Sequence, residues 1–345
     1  MTLQQLLDIE LPIIQAPMAG VQGSALAVAV SNAGGLGSLP CAMLSLDAMR
    51  NELAAIKAQT NKPFNVNFFC HAPPTLSADR EAAWRAALAP YYKEFGIDAD
   101  TIPAWPGRAP FSAEAADVLS EFKPAVVSFH FGLPSAELLA LVRTWGAKIL
   151  SSATTLKEAR WLEAHGVDAI IAQGLEAGGH RGMFLSENLN SQVGTFALLP
   201  QIVQEVRLPV IAAGGIADAK GVAAAMALGA AGVQIGTAFL LCPEATTSAV
   251  HRAALKSEAA RHTALTNVFT GRPARGIVNR IITELGPISA AAPDFPLAGA
   301  AIAPLRAKAE SRGSGDFSPL WSGQNASGCK EIPAAQLTRE LAADI

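Results

Sequence analysis

A (β/α)8 TIM barrel with a smaller appended α/β domain over its C-terminal face is the fold class predicted by this 345-residue sequence. Two observations predict the barrel. Eight short apolar strands, each closed by small or polar residues, run through residues 13–18, 35–40, 64–69, 125–132, 147–153, 169–174, 209–215 and 232–240. Amphipathic stretches fit between most of them, at 23–32, 46–59, 113–122, 135–145, 155–165, 195–206 and 217–228. Strands alternating with helices of this length imply βαβ units and a parallel sheet. Eight units favour a closed barrel over an open sheet, because closure leaves no edge to cover. The third observation, two breaks in the rhythm, predicts the appendage.

The first break is residues 70–111, with six prolines and a helical pattern near 78–91. An insertion of this length after a barrel strand reads as a lid or wall over the site. The second follows residue 240. There 246–263 reads as a helix, 266–283 as Arg-containing loops or short strands, 300–310 as a helix and 334–343 as a helical tail. The expected division is therefore a barrel from 1–240 and 319–345, and a smaller substrate or lid domain over 241–318, packed over the barrel's top.

Composition narrows the function. Half the chain is hydrophobic, 16% is charged and the formal net charge is −3, which suits a large buried core. Lys and Arg are scattered with no basic stripe, so nucleic acid is not expected as a partner. Cys41, Cys70, Cys242 and Cys329 form no CxxC pair and read as reduced thiols in a cytoplasmic protein. No metal site is expected. Residues 1–10 lack a basic start and an apolar block, so no signal peptide is read there. Residues 221–242 are apolar enough to suggest a membrane span. The Gly229-Ala-Ala-Gly232 break and Gln234 argue instead for a buried helix, a turn and a buried strand. The Asn325-Ala-Ser327 sequon carries no meaning without export.

In a barrel of this kind the chemistry sits where strands end. The seventh strand ends in Gly214-Gly215 and the eighth in Gly236-Thr237. Glycine lets a backbone approach a ligand and aim its N–H groups at an anion. Two such loops in these positions predict a phosphate cradle. Gly34-Gly-Leu-Gly37 follows a helix and opens a strand, the reverse of a dinucleotide fingerprint, so no Rossmann domain is expected. Residues 172–182, Ala-Gln-Gly-Leu-Glu-Ala-Gly-Gly-His-Arg-Gly, place His180 near the tip of a Gly-rich loop at the catalytic face. Histidine there can move a proton or donate to an anion. Arg181 reads as structural or ion-paired, and Glu176 as a residue that orients the loop. Asn67, Gln173 and Gln234 fall at strand ends, where amides suit the edge of a heterocycle. His130 reads equally as a pocket wall or as a core histidine. Nucleophile elbows, Walker loops and zinc spacings are missing, so the chemistry is expected to belong to a bound cofactor.

These residues resemble those of the flavin-dependent nitronate monooxygenases, formerly called 2-nitropropane dioxygenases. The matching segments are Gln15-Ala-Pro-Met-Ala-Gly20, Asn65-Val-Asn-Phe-Phe69, Gln173-Gly-Leu-Glu-Ala-Gly-Gly-His-Arg-Gly182, Ala212-Ala-Gly-Gly-Ile216, Gly232-Val-Gln-Ile-Gly-Thr237 and Gly271-Arg-Pro-Ala-Arg-Gly276. The resemblance implies an FMN barrel that oxidises alkyl nitronates, and in some cases nitroalkanes, with O2 to a carbonyl compound and nitrite. It implies FMN contacts from Met18, Asn67, Gln173, Gly178, Gly179, Gly214, Gly215, Gln234, Ile235, Gly236 and Thr237, and a catalytic His180. His130, Arg275 and Phe295 are the expected substrate contacts. Better-studied members of this kind carry Tyr and Lys side chains around 295–303. Here the segment is Phe295-Pro-Leu-Ala-Gly-Ala-Ala-Ile-Ala303, without a polar group. That departure predicts a preference for small or uncharged alkyl nitronates. The alternative on the same barrel is an FMN-dependent NAD(P)H reductase of quinones or enoyl thioesters. The partners expected are small molecules and O2; the sequence leaves a monomer and a homodimer equally open.

Overall fold

The computed structural model describes residues 2–102 and 108–345. Among the described residues eleven strands occur in chain order: β1 (Ile13–Gln15), β2 (Gly37–Pro40), β3 (Phe64–Phe69), β4 (Val126–His130), β5 (Lys148–Ala153), β6 (Ala169–Gln173), β7 (Gly179–His180), β8 (Val210–Ala213), β9 (Gly232–Ile235), β10 (Thr263–Thr266) and β11 (Ala274–Ile277). All but β7, β10 and β11 form one parallel sheet, ordered β1-β9-β8-β6-β5-β4-β3-β2. A parallel bridge between Ile14 and Leu36 joins its two ends, so the sheet closes into a TIM barrel.

The strand residues alternate in facing. Ile14, Leu36, Val126, Leu150, Ile171 and Ile211 point inward and share an apolar layer with Leu3 and Leu7. Ile13, Val66, Val127, Ile149, Ile170 and Val233 point outward against the surrounding helices. The short helix Leu3–Leu7 was not legible as a helix. It is held by a reciprocal cap between Thr2 and Gln5 and closes the bottom of the barrel. Outer helices begin at polar side chains that accept from their first-turn amides, among them Ser45, Ser112, Ser135, Thr155 and Asp218. The tail helix Ala334–Leu341 packs between Ser24–Asn32 and Ala219–Ala227 and completes the outer ring.

One strand and one helix expectation are corrected. The eighth barrel strand stops at Ile235 rather than 240, and Thr237–Leu241 turns into a 3-10 helix. The stretch 246–263 is a shorter helix, Ala249–Leu255, followed by a 3-10 turn. The apolar run 221–242 is divided among a helix, a strand and that 3-10 turn. No helix among the described residues is long and apolar enough to cross a membrane.

A second apolar cluster lies over the barrel top. Its residues come from the insertion (Trp84, Leu88, Tyr92) and from the later segment (Phe269, Ile302, Leu305, Phe317). The insertion helix Ala78–Phe95 is pinned to the helix Ala298–Glu310. Trp84 Nε1 donates to the Ala298 carbonyl at 3.1 Å, and Tyr92 Oη to the Ala301 carbonyl at 2.6 Å. The roof is therefore built from both irregular stretches together.

Candidate active site

A cleft opens at the C-terminal ends of the barrel strands, with about 1330 Å³ of empty space, part of it open to solvent. On one side β8 ends in Gly214 (φ +121°) and Gly215 (φ +75°), conformations that side chains rarely adopt. On the neighbouring strand Gly236 opens the 3-10 turn. A Cβ at Gly236 would touch only Ala16 Cβ at 3.4 Å and Met18 Sδ at 3.6 Å, both ordinary contacts. Nothing in the protein itself demands glycine there. The amides of Gly215, Gly236 and Thr237 find no backbone acceptor among the described residues. Gln234 Oε1 is buried without a hydrogen-bond partner. Unpaired backbone donors and a bare amide oxygen on one wall are what an anionic, hydrogen-bonding ligand would satisfy.

Every cofactor-contact residue expected from the sequence lines this cleft: Met18, Asn67, Gln173, Gly178, Gly179, Gly214, Gly215, Gln234, Ile235, Gly236 and Thr237. Their individual environments differ. Asn67 spends both amide hydrogens on Ser128, at 3.2 and 3.0 Å. Gln173 donates to the His180 carbonyl at 3.0 Å and accepts from the Gly182 amide at 2.7 Å, so it braces the loop that follows it. A Cβ on Gly178 would sit 2.6 Å from the Gly323 amide nitrogen, so that glycine is needed by the fold as well.

His180 is not on a free loop tip. It lies in β7, paired antiparallel with Ala274 of β11, and is 9% exposed. Its backbone carbonyl also accepts from His130 Nε2 at 3.1 Å. Its ring sits among Phe295, Trp321 and Phe69, with centroids 5.3, 5.5 and 6.0 Å away. Nε2 is 2.9 Å from Thr270 Oγ1. Thr270 Oγ1 is also 3.4 Å from the Arg272 carbonyl, to which its hydroxyl can only donate. That chain assigns the proton to Nε2 and leaves Nδ1 as the free lone pair. Burial, with the nearby Arg108 charge next in weight, holds the His180 pKa well below 6.5. The imidazole is neutral at neutral pH.

His130 also lines the cleft, its Nδ1 3.0 Å from Ser152 Oγ. Arg275 does not line it. Its guanidinium is spent on the Leu175 carbonyl at 2.9 Å and Thr263 Oγ1 at 3.1 Å. Phe295 does not line it either, and stands behind His180 in the aromatic wall. Arg181 is fully buried and structural, donating to the Gly174 and Gln173 carbonyls and to Gln192. Glu176 accepts from the Thr195 amide at 2.8 Å and so holds the loop against the helix Thr195–Glu205.

Among the cleft residues that sequence reading missed are Arg108, His251, Trp321 and Asn325. Arg108 comes from the insertion, and its carbonyl accepts from His71 Nε2 at 2.9 Å. No carboxylate among the described residues pairs with its guanidinium, and burial lowers its pKa to about 10. Asn325, noticed only within a sequon, donates to the Gly215 carbonyl at 3.2 Å. No group of His, Cys, Asp and Glu among the described residues is arranged to hold a metal.

Comparison with known proteins decides the family. The family model for nitronate monooxygenase matches residues 1–344. The chain belongs to the nitronate monooxygenase family. It is 47% identical over 342 residues to a nitronate monooxygenase from Paraburkholderia phytofirmans, covering 97% of this chain and 92% of the relative. It is 44% identical to the nitronate monooxygenase of Pseudomonas aeruginosa, covering 99% and 98%. Among solved structures, a nitroalkane oxidase from Streptomyces ansochromogenes superimposes with a TM-score of 0.89 at 39% identity, covering 99% of this chain and 97% of that one. FabK from Thermotoga maritima follows with a TM-score of 0.72 at 29% identity, covering 100% and 96%. As a member of the nitronate monooxygenase family the chain is an oxidoreductase.

Proposed function

We propose that the cleft holds FMN and that the enzyme oxidises alkyl nitronates, and more slowly nitroalkanes, with O2 to a carbonyl compound and nitrite. The observation that carries this is the wall of unpaired amides at Gly215, Gly236 and Thr237, set beside the bare Oε1 of Gln234 and across from His180. The residues fit the group. The two glycine-ended strands suit a single phosphate, and Gln234 offers an unpartnered amide oxygen to a heterocycle, Asn67 keeping only its Oδ1 for that purpose. FMN would supply the redox chemistry.

The protein's own part follows from charge and geometry. The charges that weigh on His180 are cationic, Arg108 and Arg272, so its surroundings favour an anion. A nitronate bound there is stabilised by that field and oriented by the imidazole. With a neutral nitroalkane, the neutral Nδ1 takes the α-proton, and Thr270 keeps the ring in the tautomer that can do so. The aromatic wall of Phe69, Phe131 and Phe295 excludes water from the same side.

The test is direct. Cofactor released by heat is identified by mass, and O2 consumption and nitrite release are followed with ethyl nitronate and nitroethane. FMN with nitronate-dependent nitrite release is expected. FAD or no flavin, or bleaching by NADH or NADPH without nitronate turnover, would overturn the proposal in favour of a reductase.

A further inference from the structure

The ends of β4 and β6 converge on one backbone atom. His130 Nε2, at the end of β4, lies 3.1 Å from the His180 carbonyl oxygen, and Gln173 Nε2, at the end of β6, lies 3.0 Å from the same oxygen. A carbonyl oxygen has two lone pairs, so these two donors fill it. Because that oxygen only accepts, the proton of a neutral His130 sits on Nε2. Nδ1 is then the lone pair that accepts from the Ser152 hydroxyl at 3.0 Å. Burial lowers the His130 pKa to about 4, so the ring carries no charge at neutral pH. The same two residues grip the chain just beyond His180. Gln173 Oε1 accepts from the Gly182 amide at 2.7 Å, and a Cβ on Gly182 would sit 2.8 Å from His130 Cε1. The His130 ring therefore rests directly on the backbone of the segment that carries His180.

A strained residue stands beside it. Phe131 has φ +70°, a left-handed conformation rare for an aromatic side chain. In an extended strand successive side chains point to opposite faces. Here the kink brings the His130 and Phe131 rings to 4.6 Å of each other, with Phe131 6.1 Å from the His180 ring. The Arg272 guanidinium lies 4.1 Å from the Phe131 ring centroid and holds that ring in place. Backbone strain of this kind persists where packing enforces it and gathers at working sites.

We propose that His130 is a positioning residue for His180 and not a substrate contact: with Gln173 it fixes the His180 backbone so that the imidazole meets Thr270 through Nε2 and offers Nδ1 to the cleft. This rests on the reading of His180 as the base that takes the α-proton. Both His130 nitrogens are engaged within the protein, so neither is left for a substrate. His180 is held at two ends, its carbonyl by the barrel strands and its ring by Thr270 of the roof.

The experiment compares His130→Asn with His130→Gln. An Asn amide reaches as far as Nδ1 and keeps the Ser152 contact, whereas a Gln amide reaches as far as Nε2 and keeps the His180 contact. His130→Asn should lower kcat with nitroethane about tenfold, the order expected when a reacting group is slightly misplaced, and leave KM for ethyl nitronate within about twofold of the parent. His130→Gln should recover kcat to within about threefold of the parent. Nitrogen-15 imidazole spectra of the protein as purified, at pH 7, read the positioning without turnover, the His180 signals being assigned by their loss in His180→Ala. The parent should show His180 as a single Nε2–H tautomer, His130→Asn a mixture, and His130→Gln the single tautomer again. Should His130→Asn not fold, His130→Phe, which keeps a ring and removes both nitrogens, takes its place in both measurements. A nitronate KM raised by both variants would make His130 a substrate contact and overturn the proposal. An unchanged kcat or an unchanged His180 tautomer in the variant without the donor overturns it too. If the parent does not oxidise nitroethane, the catalytic reading fails separately and the tautomer spectra alone decide the role of His130.

Discussion

Thr270 Oγ1 lies 2.9 Å from His180 Nε2, and it reaches that position across ninety residues of chain. The contact exists because β7 pairs with β11, which follows Thr270 closely in sequence. It joins the loop after β6 to the roof domain and sets which imidazole nitrogen is free. Thr270→Val should keep FMN and fold but lower turnover of nitroalkanes about twofold, since half the ring population then presents the wrong nitrogen. Thr270→Ser should restore it. Equal rates in both variants would remove Thr270 from the account.

His180→Ala should retain flavin and lose roughly 10²–10⁴-fold in nitroalkane turnover, the usual loss for a positioned base. Preformed nitronates need no deprotonation, so their turnover should fall less. Steady-state rates with nitroethane and ethyl nitronate separate the two. Equal losses would return the residue to a structural role.

The pH dependence follows from the same burial. His180 works as a base only when neutral, and its pKa lies well below 6.5. Nitroalkane kcat/KM should therefore stay level as pH falls through 6.5 and decline only well below it. Arg108 is one cause of the depression. Arg108→Gln should move the acid limb toward higher pH and raise KM for anionic nitronates. An unchanged acid limb would show that Arg108 does not face the ring.

Gly236→Val tests the cradle. A side chain there meets ordinary contacts in the protein, so the variant should fold with an unchanged thermal transition and bind FMN weakly. Gly37 is the contrast: a Cβ there collides with the backbone of Ala27, so its replacement should unfold the barrel. FMN affinity and melting curves read both. Tight FMN binding by Gly236→Val would place the phosphate elsewhere.

His251 donates to the Trp321 carbonyl at 3.1 Å from a buried position that holds its pKa at about 4. The folded state therefore binds fewer protons than the unfolded one between about pH 6.5 and 4. Stability is present above that window and is lost as pH falls through it, by at most about 3 kcal/mol. Urea unfolding at pH 7 and pH 4.5 should show a smaller loss in His251→Gln than in the parent chain.

The barrel was legible because its strands are short apolar runs with glycine or polar ends, and its helices start at capping side chains. The glycine-ended wall of unpaired amides was legible for the same reason, since Gly214-Gly215 and Gly236-Thr237 terminate strands that periodicity already located. His180 was placed correctly along the chain but not in space: a two-residue strand carries no periodic signal, and its partner β11 lies far away in sequence. Arg108, Trp321 and Asn325 were illegible. They reach the cleft from the insertion and the tail, whose positions are fixed by tertiary packing such as Trp84 on Ala298 rather than by local pattern. Arg275 shows the converse error. It belongs to a recognisable segment, yet its guanidinium is consumed by the Leu175 carbonyl.

The central claim is that one cleft joins a flavin to a nitronate held beside His180. Anaerobic mixing of the purified holoenzyme with excess ethyl nitronate, followed at the flavin's visible absorbance, tests it most directly. The account predicts reduction of the flavin by the nitronate, saturable in its concentration and slowed in His180→Ala. A flavin that ethyl nitronate leaves oxidised, while NADH or NADPH bleaches it, would contradict the account.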